Sequence, residues 1–315
     1  MKRKELLTRK VSFRSKVAKH WQFYLIVALP VLYFIVFRYV PMYGILLAFK
    51  QRFSPTKGIW GSTWANYHGF GQFVKFFSNP SAIRTMWNTF SISMYALFAS
   101  IPLAVIMAIC LNECKSTTWR KTVQLVTYAP YFISTVVMVS ILNQFLDPSM
   151  GVFNAVRRLI GLESVNYMGD PKLFKHIYVW SALWQNTGYN AIIYLAALTG
   201  INPELYEAAR VDGVNKWQKI WHVDLPCIRS TIITMFIMNM GYVMSLGFEK
   251  VFLMQNALNL EASEIMSTYV YKMGLLSSDF AYSTAIDLLN SVINIILIIL
   301  FNKLSKIVTE EGGIW

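Results

Sequence analysis

A carboxylate followed by two alanines, with a glycine a few residues on, has the chemistry of close protein docking. In YEAARVDGVNKWQKIWHVDLP, residues 206–226, Glu207 precedes Ala208 and Ala209, and Gly213 follows after three intervening residues. Small side chains let a partner's backbone approach, and a flanking carboxylate offers a charge-assisted pair to a basic group. A rival reading is an amphipathic segment resting on lipid headgroups. Lipid anchors present a bulky apolar face, whereas Leu205, Ala208 and Ala209 make a small one.

A second set of residues offers hydrogen bonds and aromatic faces inside apolar stretches. Trp184, Gln185, Asn186, Tyr189 and Asn190 stand in one, Asn239, Tyr242 and Ser245 in another, and Asp287, Asn290 and Asn294 in a third. Within lipid such groups mark solute pathways or bond neighbouring helices, and both readings stay open. Motifs for chemistry on a bound substrate are missing. There is no GxxxxGK[ST] phosphate loop, no HExxH and no GxSxG. His20, His68, His176 and His222 are dispersed, and Cys110, Cys114 and Cys227 form neither a CxxC pair nor an even set. No catalysis, metal or cofactor is expected in this chain.

The elements that position these groups follow from composition. Of 315 residues, 55% are hydrophobic and 14% charged, and mean hydropathy is +0.42. Soluble domains carry roughly 25% charged residues, so an all-α membrane protein is expected. Six spans of about the 20 apolar residues a bilayer requires fall near 21–40, 87–112, 122–146, 177–200, 230–250 and 280–302. They make one domain, 21–315, behind a basic segment, 1–20. That segment holds eight basic residues and one acid, Glu5. No small-residue cleavage site follows the first apolar run, so it reads as a retained anchor rather than a signal peptide.

Loops on the side of the N-terminus, with both termini, carry 17 of the 29 Lys and Arg, which by the positive-inside bias makes that side cytoplasmic. The net charge of +13 borders apolar spans, so it points to lipid and topology rather than nucleic acid. The aromatic-rich stretch 50–86 reads as an interfacial belt, or as a surface for an external partner. Residues 147–175 and 251–279 read as external connections.

Placing residues 204–226 in lipid would bury seven charges at a cost on the order of 20 kcal/mol. The segment therefore lies outside the bilayer. Asn202 can cap a helix with Pro203 at its first position and Glu204 at the positive end of its dipole. Gly213 suits a left-handed stop, and Asn215 opens a second helix with Trp217, Ile220 and Trp221 on one face. Pro226 is expected to end the unit, and Trp217 and Trp221 to stiffen it by packing against the span ends.

The spacing Glu207-Ala208-Ala209, three residues, Gly213, nine residues, then Val223-x-Leu225-Pro226 resembles the EAA loop of permease subunits in bacterial ABC importers. The family usually has Ile at the Val223 position. "LPVLYFIVFRYVPMYGILLAFK" (29–50), "WQNTGYNAIIYLAALTGINPELYEAARVDG" (184–213) and the terminal "GGIW" look like the oligosaccharide-import group, the LplB-like multi-sugar permeases. The resemblance implies a six-helix permease whose loop 201–226, between helices 4 and 5, couples to an ATPase through Glu207, Ala208, Ala209, Asp212, Gly213, Leu225 and Pro226. It implies a second permease subunit, two cytoplasmic ATPases holding ATP and Mg2+, an external solute-binding protein and a plasma-membrane location. The solute would be a sugar, with Trp184, Asn186, Tyr189, Asn190, Asn239, Tyr242 and Asn290 on its path, aromatic faces stacking on rings and amides bonding hydroxyls. A permease for an amino acid or phosphate, or a self-sufficient secondary transporter, is the alternative.

Overall fold

The computed structural model describes residues 19–308. The first 18 residues of the basic segment and the terminal GGIW lie outside the described residues. Helices dominate; the one β-contact among the described residues is an isolated bridge, Lys50 to Trp64. Six long helical runs organise the described residues. The first, α1, is the run Trp21–Phe49, formed by an α-helix Trp21–Phe34, a π turn Ile35–Tyr39 and a 3-10 stretch Val40–Phe49. The second, α2, is Pro80–Glu113. The third is broken into α3, Thr117–Phe132, and α4, Thr135–Phe145, which meet at 98°. Then come α5, Pro171–Thr199, the short α6, Pro203–Val211, α7, the run Lys216–Met240, and α8, Phe280–Val308.

Among the described residues, α1, α2, α7 and α8 are long and apolar enough to cross a membrane, and the bent α3–α4 pair could count as a fifth span. The protein is thus an all-α, multi-span membrane protein. Helix α5 has the length, at 29 residues, but falls short in apolarity. Its middle carries Gln185, Asn186, Thr187 and Asn190, the residues that make it a candidate site.

Several boundaries differ from those expected, each for a local reason. Helix α1 runs on to Phe49 because Pro41, at the start of a 3-10 stretch, needs no amide bond there. Helix α2 begins at Pro80, with the Asn79 side chain accepting from Ser81 N at 3.0 Å. Pro130 lies in the tight turn Ala129–Phe132 that breaks the third span, and Gln185 Nε2 fills the gap by donating to the Ile133 carbonyl at 2.8 Å. Pro226 does not end the loop. The π turn Ile220–Asp224 sits immediately before it, and the wider turn lets the helix pass a residue with no N–H. The expected span 230–250 instead stops at Met240. Residues 241–247 leave the helix, and a separate helix, Phe248–Met254, follows.

The core sits where α2 and α5 lie together. Ala104, Val105, Ala108 and Ile109 of α2 pack with Ala191, Tyr194 and Leu198 of α5 and Ile228 of α7. A second cluster joins Ile92, Tyr178, Val179 and Leu183 to Val139, Val251 and Ile265. Gly188 lets α5 touch α3, since a Cβ there would collide with the Thr127 carbonyl. In the stretch 50–86, Phe76 is buried while Trp60, Trp64, Tyr67 and Phe77 are exposed. Lys50 is buried beside them, donating to the Ser62 carbonyl at 2.9 Å with Trp64 3.8 Å from its ammonium.

Candidate functional site: a polar cavity and a two-helix loop

Two cavities, of about 430 and 320 Å3, open between α2, α5 and α7 and share Ser100, Asn190 and Asn239. Tyr189 lines the larger, and Asn186 and Tyr242 the smaller. Five of the expected path residues therefore converge, four from α5 and α7 and Tyr242 from the non-helical stretch after α7. Asn186 and Asn239 each donate an amide N–H to their own helix, to Ala182 O at 2.8 Å and Met235 O at 2.7 Å. Those bonds orient the side chains and leave the amide oxygens as acceptors. Tyr189 stacks on Tyr131 with ring centroids 3.7 Å apart, so one ring face is already covered. No Asp, Glu, Lys or Arg lines either cavity.

Trp184 and Asn290 do not join this group. Trp184 is 56% exposed on another face of α5, one turn from the exposed Trp180. Asn290 is buried in α8 with its Oδ1 unpartnered, away from both cavities. Asn294 bonds the chain break after α7, accepting from Met244 N and donating to Ser245 Oγ, both at 2.9 Å. Ser93 and Ser100 of α2 line the cavities and were not anticipated. Their spacing of seven residues, two helical turns on one face, is the signal that could have found them.

The two-helix loop folds as its caps direct. The Asn202 side chain accepts from Glu204 N at 3.1 Å at the start of α6. Gly213 turns the chain at φ +67°, a left-handed conformation that glycine adopts without strain. Asn215 and Gln218 then form a reciprocal capping box, each side chain accepting from the other's backbone N–H at 2.9 Å. An open notch lies between the helices, lined by Ala208, Ala209, Asp212 and Val223 among others. Glu207 is exposed beside it and in no ion pair among the described residues. Leu225 and Pro226 are farther along, within α7.

The expected stiffening by tryptophans is not found: Trp217 and Trp221 are 74% and 65% exposed. Both lie on the solvent side of the run because its inward side is taken by Ile220, Asp224 and Ile228. The fixing contacts are polar. Tyr206 donates to Asp224 Oδ1 at 2.8 Å, and Lys219 pairs with Glu113 at the end of α2. Burial, then the Asp224 carboxylate, pushes the Tyr206 phenol well above its ordinary pKa, so it stays protonated as the donor.

A multi-span helical protein with an uncharged cavity between its helices and a charged two-helix loop has the make-up of a membrane transport subunit. The chain belongs to the binding-protein-dependent transport system inner membrane component family, whose match covers residues 100–309. It is 37% identical over 302 residues to protein LplB of Bacillus subtilis, covering 96% of this chain and 94% of the relative. It is also 37% identical over 311 residues to the polygalacturonan/rhamnogalacturonan transport system permease protein YteP of the same organism, covering 99% and 94%. A crystal structure of a bacterial ABC transporter involved in import of the acidic polysaccharide alginate superposes with a TM-score of 0.85. The identity there is 34%, over 93% of this chain and 98% of that one.

This is therefore the non-catalytic permease subunit of an ABC importer, and ATP with Mg2+ belongs to a separate ATPase. Among the described residues no cluster of His, Cys, Asp or Glu could hold a metal ion.

Proposed function

We propose that this permease conducts a carbohydrate, an oligosaccharide delivered by an external solute-binding protein. The observation that carries this reading is the cavity lining: amides, hydroxyls and tyrosines set among apolar side chains, with no fixed charge. Phosphate or an amino acid would call for countercharges, whereas sugar hydroxyls need donors and acceptors with an aromatic face. The polygalacturonan/rhamnogalacturonan permease and the alginate importer that the chain resembles support the same class.

In this reading six spans cross the plasma membrane: α1, α2, the bent α3–α4 pair, α5, α7 and α8. Both termini are cytoplasmic, and residues 21–315 act as one domain. The loop 201–226 is the coupling segment. Glu207 meets a basic group of the ATPase, Ala208, Ala209 and Asp212 seat the notch against it, and Gly213 sets the elbow. Leu225 and Pro226, within α7, carry the loop's second helix on into the span. A second permease chain, distinct from this one, supplies the other half of the path, and two ATPases supply the motion.

The test is uptake by the reconstituted importer together with identification of the glycan held by its binding protein. Asn190→Ala and Asn239→Ala should each reduce uptake about fivefold, the cost of one hydrogen bond, without loss of bound ATPase. Wild-type uptake in both variants would sink this assignment of the path.

A further inference from the structure

Side chains from three segments meet at the end of α2 nearest the loop. Asn112 and Glu113 close α2, Tyr206 stands on α6, and Lys219 and Asp224 stand on the first turns of α7. Tyr206 donates to Asp224 Oδ1 at 2.8 Å. The Lys219 ammonium pairs with Glu113 and lies 5.4 Å from the Tyr206 ring. Asp224 is wholly buried, and its Oδ2 has no partner among the described residues.

Helix α6 buries none of its own residues, so hydrophobic packing does not fix its position. An apolar filling of the same volume would be no less stable than these polar pairs. It would, however, let α6 slide across the end of α2. Directional hydrogen bonds and an ion pair in a half-dry site hold one register, because a small displacement leaves buried groups unpaired.

We infer that Tyr206, Asp224, Lys219 and Glu113 form a brace that carries displacement of the α6–α7 elbow into α2 and the cavity it lines. They are positioning residues for ATP-driven transport, separate from the residues that dock the ATPase. The inference rests on the coupling reading of residues 201–226. Helix α2 supplies Ser93 and Ser100 to the cavity and Glu113 to the brace, so one continuous helix, with Pro102 between the two sites, reaches both.

The test uses the intact importer, with partner permease, ATPases and binding protein, in proteoliposomes. Cys110, Cys114 and Cys227 are first replaced by Ala, and Ser245→Cys is introduced at the cavity. Labelling of that thiol by a water-soluble maleimide, with and without ATP and vanadate, reads the motion without knowledge of the solute. Tyr206→Phe and Glu113→Gln should keep ATPase bound at wild-type stoichiometry, while the ATP-dependent change in labelling falls about fivefold. The double exchange Glu113→Lys with Lys219→Glu should restore at least half of it. An undiminished labelling change in Tyr206→Phe and Glu113→Gln overturns the brace. If Glu113→Gln does not assemble, Tyr206→Phe, which keeps the ring, decides alone. Glu207→Lys separates the two levels: ATPase binding and labelling at wild-type level in that variant would overturn the docking reading itself. Sensitivity at Glu207 with none at Tyr206 or Glu113 overturns only the brace.

Discussion

Asparagine in a transmembrane helix has two fates, bonding a neighbouring segment or lining a path, and this chain uses both. Asn294 bonds a chain break, whereas Asn186, Asn190 and Asn239 meet at the cavity. The same division separates the aromatics. Tyr242 is at the smaller cavity, and Trp184 faces away from both. Tyr242→Ala should therefore raise the substrate concentration for half-maximal uptake, while Trp184→Ala leaves it within about twofold, as for exposed sites outside the contact set. Transport kinetics on the two variants side by side check this, and the reverse order would contradict the cavity assignment. The asparagines were visible in the sequence, but their division was not. Spacing along α5 puts Trp184 and Asn186 in one segment without saying which neighbour each side chain meets.

At the scale of elements, prolines and one glycine shape the site more than hydrophobic pattern does. Pro130 breaks the third span, and Gln185 satisfies the carbonyl that the break exposes. Pro226 is carried inside α7 by a π turn, so the loop's second helix continues into a span as one rod. A rod of that kind can deliver motion from Lys216, just past the Gly213 elbow, to Asn239. Gly188 sets how closely α5 approaches α3, against the Thr127 carbonyl. Gly188→Val should cost about 1–3 kcal/mol through overpacking. A thermal-unfolding scan in detergent should show a lower midpoint, and an unchanged midpoint would mean that the helices separate freely there. The sequence marks the proline positions plainly. It does not say whether a proline stops, bends or is absorbed by its helix, because that depends on which neighbours satisfy the freed carbonyls.

For the whole molecule, membrane orientation and partners matter most. Residues Trp21–Phe34 of α1 bury nothing within this chain, and that all-round apolar surface belongs in lipid or against another chain. The loop elbow and the segment 256–259 stand at opposite ends of helices expected to span the bilayer. Single cysteines at Gly213 and Leu258, in a chain cleared of native cysteines, should react with an impermeant maleimide from opposite sides. Gly213 should label only in inverted vesicles and Leu258 in intact cells. Labelling of both from one side would overturn the orientation drawn from basic-residue bias.

The sequence by itself determined that the chain is a multi-span helical membrane protein, that residues 202–215 cap and turn as they do, and which family the loop spacing resembles. Each depends on local chemistry: apolar length, cap side chains, a glycine at positive φ, and a fixed run of residue types. Only the tertiary structure decided which polar groups share a cavity, that α5 is the central polar helix, and that Tyr206, Asp224, Lys219 and Glu113 meet. Glu113 and Lys219 are 106 positions apart. Their meeting is set by how α2, α6 and α7 pack, and no pattern along the chain records which faces of those helices come together.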